Sequence, residues 1–272
     1  MVNLRDYNKL CDLLYRRTGI AIGEKRYTKL KDRLEDLIKL KGYDSFRSFF
    51  RELRFNKETK LLQDLINTVT INETYFYREK HQFDTLVYHL LPQLIKQQQT
   101  GETVRVLCAP SSTGEEPYSI VLYLLQEAQL VEKTDFEIVG IDIDDMVIKK
   151  AKEGKYSKRS VQNIPAPLLQ RYFEKMHENA YVLKPDIKEA VNFKVVNVMD
   201  KNEIRKLGKF DIIFSRNMLI YFDDISRQEV ATNFYQMLKP KGHIFLGHAE
   251  SMSRISSLFT TVKMGDSIFY KK

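Results

Sequence analysis

Glu115 and Glu116 follow Gly114 in the run Ser112-Thr113-Gly114-Glu115-Glu116-Pro117-Tyr118-Ser119, and two carboxylates at a glycine turn limit the chemistry available there. A phosphate loop offers bare backbone N–H groups and a lysine, whereas two glutamates repel a polyphosphate and attract a cation or a ribose diol. The run stands between the strand-like Val104-Arg105-Val106-Leu107-Cys108-Ala109 and the helix-like Ile120-Val121-Leu122-Tyr123-Leu124-Leu125. A strand feeding a tight glycine turn and then a helix is where an α/β fold holds a cofactor. Asp142 ends the next strand-like run, Gly140-Ile141-Asp142, 28 residues past Gly114, close to the spacing of an acidic ribose clamp. It could instead cap the helix that begins around Asp144-Asp145. Two further strand ends carry Asn197-Val198 and Ser215-Arg216-Asn217, polar groups suited to reading a nucleoside.

Several chemistries are disfavoured. With one glycine at the turn and no G-x-G-x-x-G after a strand, NAD fits less well than a smaller adenosine-containing cofactor. His177, His243 and His248 lack metal-ligand spacing and have no partner cysteine, so no metal site is expected. No G-x-S-x-G elbow supports a serine hydrolase. Cys11 and Cys108 form no disulfide or metal pattern and suggest reduced thiols in a cytosolic protein. No apolar run approaches the roughly 18–20 residues of a membrane span, and the N-terminus lacks the layout of a signal peptide.

Alternating elements must position these groups. From residue 103 onward, strand-like runs at 103–109, 136–142, 191–197, 210–215 and 243–247 alternate with helix-like runs at 115–129, 144–153 and 224–238. That rhythm predicts a mostly parallel sheet covered on both faces. Runs 258–263 and 267–271 around Met264-Gly265-Asp266-Ser267 predict a terminal antiparallel hairpin. Five parallel strands plus a hairpin match a seven-stranded methyltransferase sheet better than a six-stranded dinucleotide fold. Residues 156–190 break the rhythm with three prolines, a short helix near 167–176 and the strand-like Tyr181-Val182-Leu183, and read as a small inserted subdomain.

The front of the chain is helical. Leu30, Leu34, Leu37 and Ile38 form one apolar stripe on a helix near 24–41, with Gly42 as its C-cap. Asp44 or Ser45 can cap the next helix, striped by Phe46, Phe49, Phe50 and Leu53, and Asn56 a third, carrying Leu61, Leu62, Leu65 and Ile66. The expected organisation is an all-α domain over 1–70, a linker and connecting helix over 71–100, and an α/β domain over 101–272. Thr68 to Arg78 is polar, aromatic and β-branched together and reads as a packed linker. A helix follows from about Glu79 to Gln99, kinked at Pro92. Residues 1–70 hold sixteen Lys and Arg against ten Asp and Glu, six of the chain's eight net positive charges. This suggests an acidic partner, or simply a solvated helical face.

At this point the motifs carry a resemblance. Ser112–Ser119 resembles the signature of the chemotaxis receptor methyltransferases, the CheR family. Thr70-Ile71-Asn72-Glu73-Thr74-Tyr75-Phe76-Tyr77-Arg78, Gly140-Ile141-Asp142-Ile143-Asp144, Phe214-Ser215-Arg216-Asn217-Met218-Leu219-Ile220-Tyr221-Phe222 and Gly247-His248-Ala249-Glu250 agree in the right order. The resemblance implies a class I methyltransferase sheet and S-adenosylmethionine as cofactor, with S-adenosylhomocysteine as product. It implies methyl esterification of glutamates on the cytoplasmic part of transmembrane chemoreceptors, for sensory adaptation. By motif position, Asn72, Thr74 and Arg78 would contact the cofactor from the linker and Glu115 from the turn. Asp142 would hold the ribose, Asn197 and Val198 flank the adenine, and Arg216 and Asn217 complete the set. Arg78 and Tyr221 would lie near the transferred methyl. Tyr221 and Phe222 could alternatively be core packing.

The same resemblance gives the basic front domain a role in receptor docking. Arg26, Lys29 and Arg33 recur at i, i+3 and i+7 on one helical face beside the Leu30/Leu34 stripe, and that face is expected to be exposed and to bind acidic receptor helices. A cytoplasmic monomer recruited to receptor arrays, with no membrane insertion and no nucleic-acid partner, is the matching expectation. Departures from the family pattern are Cys108-Ala109-Pro110-Ser111 before the turn and Ala249 in the last motif. The loop Met176-His177-Glu178-Asn179 is short and lacks glycine, which argues against tethering to a receptor tail peptide. Nucleic-acid amino methylation would call for a D/N/S-P-P-Y/F/W motif where Arg216-Asn217-Met218-Leu219 stands. A cofactor-binding scaffold without catalysis fits poorly with a full set of site residues.

Overall fold

The structure, a computed structural model, describes residues 2–55, 60–97 and 101–272. It divides into two compact units, Met1–Ile71 with Ile220–Arg227, and Asn72–Leu219 with Gln228–Lys272.

The first unit is built on helices Leu4–Thr18, Tyr27–Leu40, Phe46–Phe55 and Lys60–Val69. The Asn3 side chain caps the first, accepting from the Asp6 N–H at 2.9 Å. The second buries Leu30, Leu34, Leu37 and Ile38, each such side chain contributing about 1.5–3 kcal/mol relative to exposure. It ends in a Schellman turn: Gly42 takes φ +74°, its N–H donates to the Lys39 carbonyl at 2.9 Å, and Tyr43 N–H reaches Ile38 at 3.1 Å. Ser45, of the two candidate caps, accepts from Ser48 N–H at 3.2 Å. The expected cap Asn56 lies outside the described residues.

The helix expected near 24–41 begins later, because Glu24–Arg26 is a separate 3-10 turn. Arg26 does not join Lys29 and Arg33 on an exposed face. It is half-buried and its Nη2 donates to the Val69 carbonyl at 2.7 Å, at the C-terminal end of the Lys60–Val69 helix, where an unpaired carbonyl attracts a cation. The segment 220–227 packs into this unit through an Ile20–Phe222 bridge, an Ala21 N–H to Tyr221 carbonyl bond of 2.8 Å and Tyr15 Oη to Asp223 at 2.8 Å.

The second unit is organised on β1 (Val104–Cys108), β2 (Phe136–Asp142), β3 (Lys155–Ser157), β4 (Phe173–His177), β5 (Ala180–Leu183), β6 (Val191–Val195), β7 (Phe210–Ser215), β8 (Leu238–Leu246), β9 (Thr260–Met264) and β10 (Ser267–Lys271). The main sheet has seven strands in the order β6-β2-β1-β7-β8-β10-β9. Its first five are mutually parallel, and β10 and β9 complete it antiparallel. This is the expected class I methyltransferase sheet with its terminal hairpin. All six residues of β7 are buried, as for a parallel strand covered on both faces.

Helices Glu115–Leu124 and Asp145–Glu153 follow β1 and β2, and Asp224–Met237 leads into β8. Lys201–Leu207 is a further helix that the sequence reading lacks, capped by the Asp200 carboxylate. In place of the kink expected at Pro92, the helix carries a π turn at Thr85–Leu90 between α segments Lys80–Asp84 and Leu91–Gln97. Proline cannot donate to the carbonyl four residues back and its ring crowds that carbonyl, and a wider turn before it relieves both. Residues 98 and 99 of the expected helix lie outside the described residues.

The inserted segment forms a second antiparallel sheet, β3-β5-β4. The helix expected near 167–176 is Ala166–Tyr172 and stops there, because Phe173 onward pairs with β5.

Candidate functional site

The site is built at the carboxyl ends of β1, β2, β6 and β7. After β1 the chain passes a cis Ala109–Pro110 bond, then Ser112 at φ +47° and Gly114 at φ +94°. A Cβ on Gly114 would meet Tyr118 at 3.0 Å and Ala151 and Phe193 at 3.1 Å. Glycine is therefore required here by both backbone and space.

Asp142 closes on this turn from β2, accepting from Ser112 N–H at 2.9 Å and Asp144 N–H at 3.0 Å. It is 6% exposed, and burial pushes its carboxyl up to about 6 despite the two N–H donors. The alternative of Asp142 as helix cap does not hold. Asp144 is the cap, accepting from Met146 N–H at 3.0 Å and Val147 N–H at 3.2 Å. The other Asp144 oxygen accepts from Asn72 Nδ2 at 3.0 Å, which brings the linker to the end of β2. From β6, Val196 N–H donates to the Asp142 carbonyl at 2.9 Å.

Glu115 and Glu116 diverge and do not form a joint cation site. Glu115 is 3% exposed; its oxygens accept from Ser160 Oγ at 2.8 Å and Thr113 Oγ1 at 2.6 Å, and burial raises its carboxyl above the usual range. Glu116 turns instead to Arg216, Oε2 to Nη1 3.0 Å. Burial raises its carboxyl too, and Arg216 pulls it part of the way back. Arg216 Nη2 donates to the Arg78 carbonyl at 2.7 Å and lies 3.6 Å from Glu79, with the guanidinium 5.6 Å from the Phe83 ring centroid. Arg216 thus joins β7, the turn after β1 and the linker.

The linker itself packs by its aromatic residues. Phe76 is fully buried between Tyr156 and Phe173, and its N–H donates to the Ser160 carbonyl at 3.0 Å. Thr74 is half-buried. The Arg78 side chain donates to the Glu73 carbonyl at 3.1 Å. Asn197 folds its side chain onto its own turn, accepting from Met199 N–H at 3.0 Å, and Val198 is buried with its carbonyl held by Asn233 at 2.9 Å. Asn217 adopts φ +58°, and its N–H donates to Glu250 at 2.8 Å. Tyr221 is in the one-turn 3-10 helix Leu219–Tyr221 and belongs to the first unit. The other residues expected at the cofactor lie in the second unit.

Four polar side-chain atoms at the ends of β1 and β7 are buried and have no hydrogen-bond partner among the described residues: Ser111 Oγ, Ser112 Oγ, Ser215 Oγ and Arg216 Nε. Orphaned donors and acceptors beside a buried carboxylate are costly unless a polar ligand satisfies them. Hydroxyls, a carboxylate and a guanidinium suit a nucleoside bearing an amino-acid group. Ser160, Glu79 and Glu250 also belong to this framework. Only Glu250 lay in a motif of the sequence, and its spacing alone gave no sign of its partners.

The chain matches two family models, "CheR methyltransferase, SAM binding domain" over residues 72–268 and "CheR methyltransferase, all-alpha domain" over residues 5–70. It is 43% identical over 267 residues to Chemotaxis protein methyltransferase 2 of Vibrio cholerae, covering 98% of this chain and 92% of that one. It is 33% identical over 257 residues to the Chemotaxis protein methyltransferase of Escherichia coli, covering 93% and 87%. Identity to the corresponding protein of Borreliella burgdorferi is 32% over 251 residues, covering 91% and 88%.

Proposed function

This chain belongs to the CheR methyltransferase family and uses S-adenosylmethionine, and we propose that it esterifies glutamate side chains on the cytoplasmic part of chemoreceptors. The orphaned polar atoms at the ends of β1 and β7 support a cofactor site there, and the names of the relatives support the receptor as substrate. When bound, S-adenosylmethionine supplies a methyl group on a sulfonium, which passes to a glutamate oxygen to give a methyl ester and S-adenosylhomocysteine.

The protein's part is alignment and exclusion of water. A glutamate has a reference pKa of about 4.3 and is ionised at neutral pH, so it attacks without a general base. Asp142 accepts from the ribose hydroxyls. Asn72, Thr74, Glu115, Asn197, Val198, Arg216 and Asn217 shape the rest of the cofactor site, by contact or by holding the backbone that makes it. Arg78 orients a carboxylate, and Tyr221 sets the side chain next to the methyl. Lys29 and Arg33 attract the acidic receptor. The enzyme acts as a cytoplasmic monomer at receptor arrays.

The test is radiolabelled methyl transfer to receptor-enriched membranes. A product hydrolysed by mild alkali is an ester; an alkali-stable product would identify N-methylation and refute the reading. Tyr221→Phe and Arg78→Ala should each lower turnover with cofactor affinity kept.

A further inference from the structure

The Gly247-His248-Ala249-Glu250 motif takes no part in the scheme above, yet its glutamate has three backbone partners. The last paired residues of β7 and β8 are Ser215 and Leu246, and beyond them the two strands part. There the half-buried Glu250 accepts from Asn217 N–H at 2.8 Å and Gly247 N–H at 2.9 Å through Oε2, and from Leu219 N–H at 2.7 Å through Oε1. One carboxylate thus replaces the ladder where the sheet ends, by charge-assisted bonds of good length.

The geometry points to Glu250 as a positioning residue for methyl transfer. It fixes the turn that carries Arg216, and through Arg216 the backbone of Arg78. Asn217 is held at φ +58°, a conformation that asparagine tolerates better than most residues. Gly247 is required by the same clamp, since a Cβ there would lie 2.9–3.0 Å from Asn217 and 3.0 Å from Glu250 Oε2. Next to the clamped Asn217, Arg216 donates to the Arg78 carbonyl at 2.7 Å and pairs with Glu116 at 3.0 Å. The clamped Leu219 N–H opens the 3-10 turn that ends at Tyr221. Arg78, assigned to the methyl, therefore depends on this turn, while Asp142 at the end of β2 makes its own bonds to Ser112 and Asp144. The inference rests on the proposed placement of Arg78.

Glu250→Gln keeps the shape but offers one acceptor atom and an NH2 group to three N–H donors, so at least one contact becomes donor against donor. In the intact chain, kcat for methyl transfer should fall about 10- to 100-fold, cofactor Kd should rise by a clearly smaller factor because Arg216 and Asn217 also shape the cofactor site, and receptor KM should stay within about threefold. Hydrogen exchange, which needs no substrate, should quicken at residues 217–219 and also at 78–80, and stay unchanged at 140–144. Unchanged exchange at 78–80 overturns the inference whatever the substrate proves to be. So does a loss of cofactor affinity as large as the loss of kcat. If wild type methylates receptors and Glu250→Gln equals it, only the positioning role fails; if wild type does not, the functional reading fails and the exchange result still decides. Should Glu250→Gln not fold, Gly247→Ala disturbs the clamp from within the same turn after β8 and should give the same pattern.

Discussion

Arg216 and Glu116 form an ion pair of 3.0 Å with side chains only 3% and 11% exposed. It joins the carboxyl end of β7 to the first turn of the Glu115–Leu124 helix. Removing one member leaves the other charged and desolvated. Arg216→Met should therefore destabilise the protein by about 3–5 kcal/mol, and Arg216→Met with Glu116→Gln by clearly less. Urea unfolding of the two variants measures the difference; equal losses would show that the pair is not coupled.

Asp142 predicts two opposite pH dependences. Its carboxyl sits at about 6 in the folded protein against 3.8 ordinarily. Between those values the folded state holds a proton that the unfolded state has lost. Stability of the cofactor-free protein therefore falls as pH rises through this window and then levels off. Cofactor binding runs the other way, since the ionised carboxylate is the better acceptor for ribose hydroxyls. Affinity should weaken as pH drops below that value, by up to about tenfold per unit, and Asp142→Asn should flatten the profile. Calorimetric titration from acid to neutral pH would expose a flat wild-type curve, which contradicts the assignment.

Gly114→Ala tests the turn. The substitution forces alanine to φ +94° and places its Cβ 3.0–3.1 Å from Tyr118, Ala151 and Phe193. A cost of about 1–3 kcal/mol is expected in thermal or urea unfolding, with weaker cofactor binding because the Asp142–Ser112 contact shifts with the loop. Wild-type stability and affinity in this variant would mean that the turn has room to spare.

Arg26 separates from its two neighbours. Arg26→Ala loses the bond to the Val69 carbonyl and should cost about 1–3 kcal/mol in stability, with receptor KM little changed. Lys29→Glu with Arg33→Glu, both exposed, should leave stability within about 0.5 kcal/mol while raising receptor KM and flattening its dependence on salt. The opposite distribution of effects would place receptor docking on Arg26.

How much of this was legible in the sequence depended on the range of the interaction. The buried parallel strands read as apolar runs, and the hairpin at Gly265 and the helix stop at Gly42 are local backbone signals. β4 is polar apart from Phe173 and the exposed Met176, so its strand state is set by pairing with β5, which no periodicity reveals. The Lys201–Leu207 helix buries only Ile204 and Leu207, too few to make a stripe. Arg26 lay at the right spacing for an exposed face, but the Val69 carbonyl that claims it is 43 residues away. Asp142 and Gly114 were found because their strand ends are readable. The three N–H groups around Glu250 converge only once β7 and β8 are paired.

The strand order also bears on how the chain acquires its shape. β1 is central, yet Val104 first meets a neighbour at Phe136 and Val106 gains its other at Ile212. Among the strands of this sheet, only the β9–β10 pair is joined by a tight local turn. Closing such long loops costs chain entropy before any ladder repays it, and parallel sheets of this kind fold slowly. During synthesis one edge of β1 stays open until Phe210–Ser215 has emerged, and for that interval an unpaired apolar strand edge is exposed to misassociation.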